Sequence, residues 1–161
     1  MTAAPDLATP LVAFRSWRIS GGRLVSPFIP CRWTGRVMHA TCFDGNRALT
    51  RGTGWLAEPH RSPDPRCQCG IYGYFEPGPR SWYGEAYWCE GVVTAWGHVE
   101  VHRDGFRAEH ARVEALAEPA DGFRHAVEAV REAAAALGVP LVAACGLRAF
   151  ADGLGGVGVG A

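Results

Sequence analysis

The chain has 161 residues, the size of a single domain and enough for one substantial hydrophobic core. Its 16 acidic residues balance 16 basic ones, so net charge gives no drive toward sequence-independent binding of phosphate backbones. Every basic residue is Arg, which excludes a Lys Schiff base and the Lys of a phosphate-binding loop.

Residues 1–10 are rich in Ala and Pro and are expected to form a flexible N-terminus. They lack the basic region followed by an apolar run that marks a signal peptide. No stretch approaches the ~18–20 apolar residues of a membrane span, so a cytoplasmic location with reduced thiols is expected. The composition, with 21 Gly, 11 Pro and six Trp, predicts many turns and a sheet packed with large aromatics. Leu11 to Ile19 alternates as a strand, Gly21-Gly22 makes a tight turn, and Arg23 to Ile29 returns as a hairpin. Thr34 to Cys42 reads as a short third strand. Phe43 to Arg66 is loop, long enough to need something that pins it.

Ile71 to Phe75 has the composition of a strand, and Tyr87 to Val101 of a longer one, bent at Gly91 or Gly97. Asp104-Gly105 signals a hairpin turn, with Phe106 to Leu116 pairing back. Neither face of that returning strand is uniformly apolar, which predicts an edge or half-exposed position. Phe123, Val127, Val130, Ala134 and Leu137 then recur at helical spacing, with Asp121 as N-cap, Gly138 as C-cap and Pro140 as terminator. Leu141 to Gly146 is expected to close the sheet.

The sharpest chemical signal is Cys67-Gln68-Cys69-Gly70, with His60 upstream and Cys42 before it. Three thiols and one imidazole are the donor set of a closed, tetrahedral structural zinc site. Cys67 and Cys69 fall on the same side of an extended backbone, and Gly70 lets the chain curl around an ion. The ligands Cys42, His60, Cys67 and Cys69 bracket the long loop. Cys31, His39 and Cys89 are the substitutes if Cys42 or His60 stands elsewhere. Three thiolates make an electron-rich ion and a poor Lewis acid, which favours a structural role over a catalytic one.

Other constellations are weaker. Gly70-Ile71-Tyr72 lacks the Tyr-Ile-Gly partner of GIY-YIG nucleases, and no Gly-x-Ser-x-Gly elbow is present. His98, His102 and His110 lie near one another on two paired strands, a candidate pH sensor or second metal site. Trp82, Tyr83, Tyr87, Trp88 and Trp96, interleaved with Arg80 and Arg103, suit either a β-core or a platform for single-stranded nucleic acid.

The pattern Cys42, His60-Arg-Ser-Pro63, Cys67-Gln-Cys69-Gly70-Ile71-Tyr72, then Trp96-Gly97, His102 and Gly105-Phe-Arg107-Ala108-Glu109, resembles a group of small uncharacterised actinobacterial and actinophage proteins. The likeness covers about Arg15 to Ala117 and departs at Gly73, where the group tends to have Ala. It implies the same four metal ligands and names no activity.

The sequence thus predicts an α+β domain over residues 11–150. It comprises a twisted antiparallel sheet or small β-barrel, a zinc-pinned loop and one C-terminal helix, followed by a Gly-rich flexible tail over residues 151–161. The expected function is a structural-zinc module that binds a protein or nucleic acid. The alternative is an enzyme or small-ligand-binding protein using an aromatic cleft near Trp88 and Trp96 with His98, His102 or His110.

Overall fold

Two glycines in the left-handed region, Gly21 and Gly22 at φ of 57° and 66°, turn β1 (Leu11–Ser20) into β2 (Arg23–Val25). Positive φ at both positions is what a two-residue hairpin needs to match strand twist. The structure, a computed structural model, describes residues 9–27, 29, 31–42, 60–78, 88–119 and 124–155. The expected N-cap Asp121, the first helical residue Phe123 and the aromatics Trp82, Tyr83 and Tyr87 lie outside the described residues.

The remaining strands are β3 (Val37–His39), β4 (Ile71–Tyr74), β5 (Trp88–His102), β6 (Gly105–Glu118) and β7 (Leu141–Ala143). β5 pairs with β1 on one edge and β6 on the other, and β4 bridges β6 back to β1 through Phe14 and Tyr74. The sheet therefore curls into a ring without becoming a regular barrel. Register shifts between Val92 and Val93, and between Trp96 and Val99, bend β5 enough to allow this. Gly97, at φ of 79°, sits inside the second shift.

β6 is not an edge strand. β5 runs along one side of it, while β4, β3 and the parallel β7 follow one another along the other. From Gly105 to Ala117 most of its residues are buried. The polar positions that suggested exposure are instead paired. Glu114, 4% exposed, accepts hydrogen bonds from Thr94 Oγ1 at 2.5 Å, Arg112 Nε at 2.7 Å and Arg36 Nη2 at 2.8 Å.

Gly105 also plays a different part from the one expected. Arg103 and Asp104 make the turn, and Gly105 already pairs with Tyr74. A Cβ there would sit 2.0 Å from the Gly73 carbonyl oxygen, so glycine is required by close strand approach.

The core has two parts. Trp17, Trp33, Val93, Val99, Phe106 and Leu116 pack under helix α1 (Arg124–Leu137) through Val130, Ala133 and Ala134. Phe14, Val92 and Ala117 pack against Leu147 and Ala151 of a second helix, α2 (Leu147–Gly153), which the sequence reading did not anticipate. α1 ends as expected: Gly138 takes φ of 65°, its N–H bonds Ala135 O, and Val139 N–H bonds Ala134 O. The closing strand stops at Ala143, where a 3₁₀ turn over Ala144–Gly146 leads into α2.

Arg15 is buried on β1 with its guanidinium over the rings of Trp17 and Trp33. It donates to Tyr72 O at 2.5 Å and Ser26 Oγ at 3.2 Å, tying β1 to β4. Burial lowers its pKa to about 10, so it stays charged at neutral pH.

Gly105→Ala is expected to destabilise the protein by about 1–3 kcal/mol or more, because backbone has to shift. Gly35→Ala, with open space around its Cβ, serves as the near-neutral control. Urea melts of the two variants check this.

Burial pushes the Glu114 carboxyl up, but its three donors outweigh that and hold it below its ordinary 4.5. Its contribution is therefore complete above 4.5 and is lost as pH falls below that value. Glu114→Gln is expected to cost about 1–3 kcal/mol at pH 7 and to flatten the acid limb of a stability profile.

Candidate metal centre

The chain reaches the site along three arms. The first leaves β3, where Ala40 N–H bonds Glu109 O at 2.7 Å and delivers Cys42. The second carries His60, fixed by the neighbouring Arg61, which clamps Glu109 with Nε at 2.9 Å and Nη2 at 2.5 Å. The third is the Cys67–Cys69 knuckle that opens β4. Asp64 folds it by accepting from Arg66 N–H through Oδ1 and from Cys67 N–H through its carbonyl, at 2.8 and 2.9 Å. Burial alternates through the knuckle, with Cys67 and Cys69 inward and Gln68 outward, as an extended backbone requires.

These arms bring one ligand atom each from Cys42, His60, Cys67 and Cys69 within 4.8 Å of one another. Cys42 Sγ and Cys67 Sγ are 3.8 Å apart, and His60 Nε2 lies 3.3 Å from Cys69 Sγ. A tetrahedral ion bonded at ~2.3 Å to sulfur and ~2.0 Å to nitrogen sets sulfur pairs about 3.8 Å apart and sulfur–nitrogen pairs about 3.5 Å apart. The donor set and its spacing fit a metal ion. No disulfide joins any of the six cysteines.

Without a cation the cluster resists ionisation. Burial, followed by the neighbouring Cys67 and Cys69, pushes the Cys42 thiol up to about 12. Burial also raises Cys69, although the Ser62 hydroxyl and the Asp64 backbone pull the other way. A divalent ion reverses this balance, since thiolates crowded together become its ligands.

Sequence reasoning missed the groups that hold the ligands. Arg107, buried on β6, donates through Nη1 to the carbonyl oxygens of both Cys67 and Cys69 (3.2 Å to the latter), and through Nη2 to Glu100. Gly70, at φ of 123°, passes so near this side chain that a Cβ would lie 3.0 Å from Arg107 Cβ. Arg107 and Glu109 stand two apart on one strand, and that spacing was the available signal.

The substitutes lie elsewhere. Cys89 is buried in the core, where burial pushes its thiol up to about 12. Cys31 is beside Arg15, whose charge opposes the upward push of burial on the thiol. His39 pairs with His110, their Nδ1 atoms 2.9 Å apart. The three strand histidines have different surroundings: His98 is 4.0 Å from Glu100, His110 stacks near Trp96, and His102 borders an open cleft. That cleft, about 450 Å³, adjoins the knuckle and is lined by Arg66, Gln68, Tyr72, His102 and Arg107 among others. Among the described residues, no helix is long and apolar enough to cross a membrane.

Comparison with protein-family models, curated proteins and solved structures finds no match.

Arg107→Met is expected to weaken metal binding by about 10–100-fold, the scale of outer-shell losses, in competition with a chromophoric chelator. It also strands Glu100, so melts should show a loss of about 3 kcal/mol. Adding Glu100→Leu is expected to restore stability without restoring affinity, which separates carbonyl anchoring from charge burial.

Proposed function

We propose that this chain is a structural-zinc protein and that its metal-pinned knuckle forms one wall of a binding surface for a protein or nucleic acid. The observation that carries the reading is the closed set of four protein ligands spaced for a tetrahedral ion. Three sulfurs and one imidazole favour zinc among common divalent ions, and four protein donors complete its coordination. A thiolate site of this kind suits the reducing cytoplasm. The likeness to small actinobacterial and actinophage proteins is part of the same proposal, since it rests on the same four residues.

The binding role rests on the cleft beside the knuckle. Arg66 gives it a cationic group, and Tyr72, 37% exposed, gives it an aromatic face. Arg with an exposed aromatic is the pairing used on single strands, and it also suits an acidic peptide.

Elemental analysis is expected to find one zinc per chain, lost in Cys67→Ser and Cys69→Ser. Chelator is expected to abolish the cooperative melt. A metal-free chain that melts as the purified protein does would overturn the structural reading. Anisotropy titrations with a single-stranded oligonucleotide at several salt concentrations test the partner. A negative salt slope that falls by about one in Arg66→Ala supports nucleic acid, and a flat response removes it in favour of a protein.

A further inference from the structure

We propose that His39 and His110 form a second metal site, separate from the thiolate cluster, that takes an imidazole-preferring divalent transition metal such as nickel. The two residues are direct cross-strand partners on β3 and β6. The flanking backbone bonds, Ala40 N to Glu109 O and Val113 N to Arg36 O, make theirs a non-hydrogen-bonded pair, the register in which side chains approach most closely. Their Nδ1 atoms are 2.9 Å apart. Imidazole nitrogens held at ~2.0–2.1 Å in adjacent positions of a square or octahedral ion are about 2.9 Å apart, and in a tetrahedral one about 3.3 Å. The spacing therefore favours an ion that accepts right-angled ligands, with water filling the other positions.

The surroundings prepare His110 for this role. Its Nε2 lies 3.7 Å from the Glu109 carboxylate, beyond hydrogen-bond length, which sets a negative charge behind the ring on the side away from His39. A carboxylate behind a ligating histidine is a common outer-shell support. The Trp96 ring, 5.7 Å from the imidazole, packs beside it. His39 is exposed, so water and ions reach the pair from the solvent side. Ligation uses the Nδ1 lone pair of both rings, so a proton carried on either Nδ1 in the hydrogen bond between them passes to Nε2 or to solvent as the ion binds.

The test uses untagged protein with one equivalent of zinc present to keep the thiolates occupied, titrated with nickel by calorimetry and by proton NMR. The expected result is one further equivalent bound, with two hyperfine-shifted imidazole N–H resonances. Affinity is expected to fall about tenfold or more in His39→Ala and in His110→Ala, a loss at least as large as outer-shell changes cause. Cys145→Ser, which removes an exposed thiol outside both sites, is expected to bind as the unaltered protein does. Absence of the extra equivalent from the unaltered protein overturns the proposal and does not depend on any variant folding. Retention of affinity in either His39→Ala or His110→Ala overturns it too. A chain that binds no zinc but still takes nickel at this pair separates the present inference from the structural-zinc reading.

Discussion

Four consecutive residues of β6 hold every arm of the thiolate cluster. Arg107 grips the carbonyl oxygens of Cys67 and Cys69, Ala108 pairs with Ile71, Glu109 clamps Arg61 and accepts from Ala40, and His110 meets His39. A metal site tolerates only tenths of an ångström in ligand position, so its anchor has to be stiff. β6 is stiff because both its edges are paired along its length and most of its side chains are buried. The polar residues on this strand are the cost of that arrangement, and each has a partner that offsets its burial. Arg107 meets two carbonyls and Glu100, while Glu114 meets three donors.

The energetics explain why a metal suits such an anchor. Closing the segment between Cys42 and His60 costs on the order of 2–3 kcal/mol of chain entropy. Charge pairs at the site recover little of that, because Arg61 and Arg66 are well exposed and such pairs are worth about 0–1 kcal/mol each. Structural zinc contributes about 10–16 kcal/mol, comparable with the entire net stability of a domain. On the structural-zinc proposal, one ion outweighs that closure cost and makes the knuckle part of the folding unit.

Much of the architecture was legible where a local rule acts alone. Two adjacent glycines fixed the β1–β2 turn, and Gly138 followed by Pro140 marked the end of α1. The donors of the cluster were readable because soft sulfur and imidazole in a Gly- and Pro-rich stretch have few other uses. Readings failed where the deciding partner is distant in sequence. β6 looked like an edge because Arg107, Glu109 and Glu114 break its apolar pattern, and their hydrogen-bond partners, Arg112 aside, sit 7 to 78 residues away. α2 spans only seven residues, less than two full turns, so Leu147 and Ala151 alone carry its amphipathic signal. Gly105 was assigned to a turn, whereas the Gly73 backbone packed against it is what demands glycine.

The thiolate cluster and the histidine pair meet at Gly97. A regular strand would send Glu109 and His110 to opposite faces, with no means of contact. The irregularity in β5 between Trp96 and Val99 opens space at this point, and His98 N–H turns to donate to Glu109 Oε2 at 3.1 Å. A Cβ at position 97 would sit 2.8 Å from His110 Cδ2 and 2.9 Å from that same carboxylate oxygen. Glycine is thus the condition for one carboxylate to hold Arg61, beside His60, and to face His110 from behind. Arg61 holds that carboxylate strongly ionised, with its pKa lowered to about 2, so its charge is present across the neutral range for both neighbours. A single bulge residue on β5 joins the arm that carries His60 to the imidazole pair that spans β3 and β6.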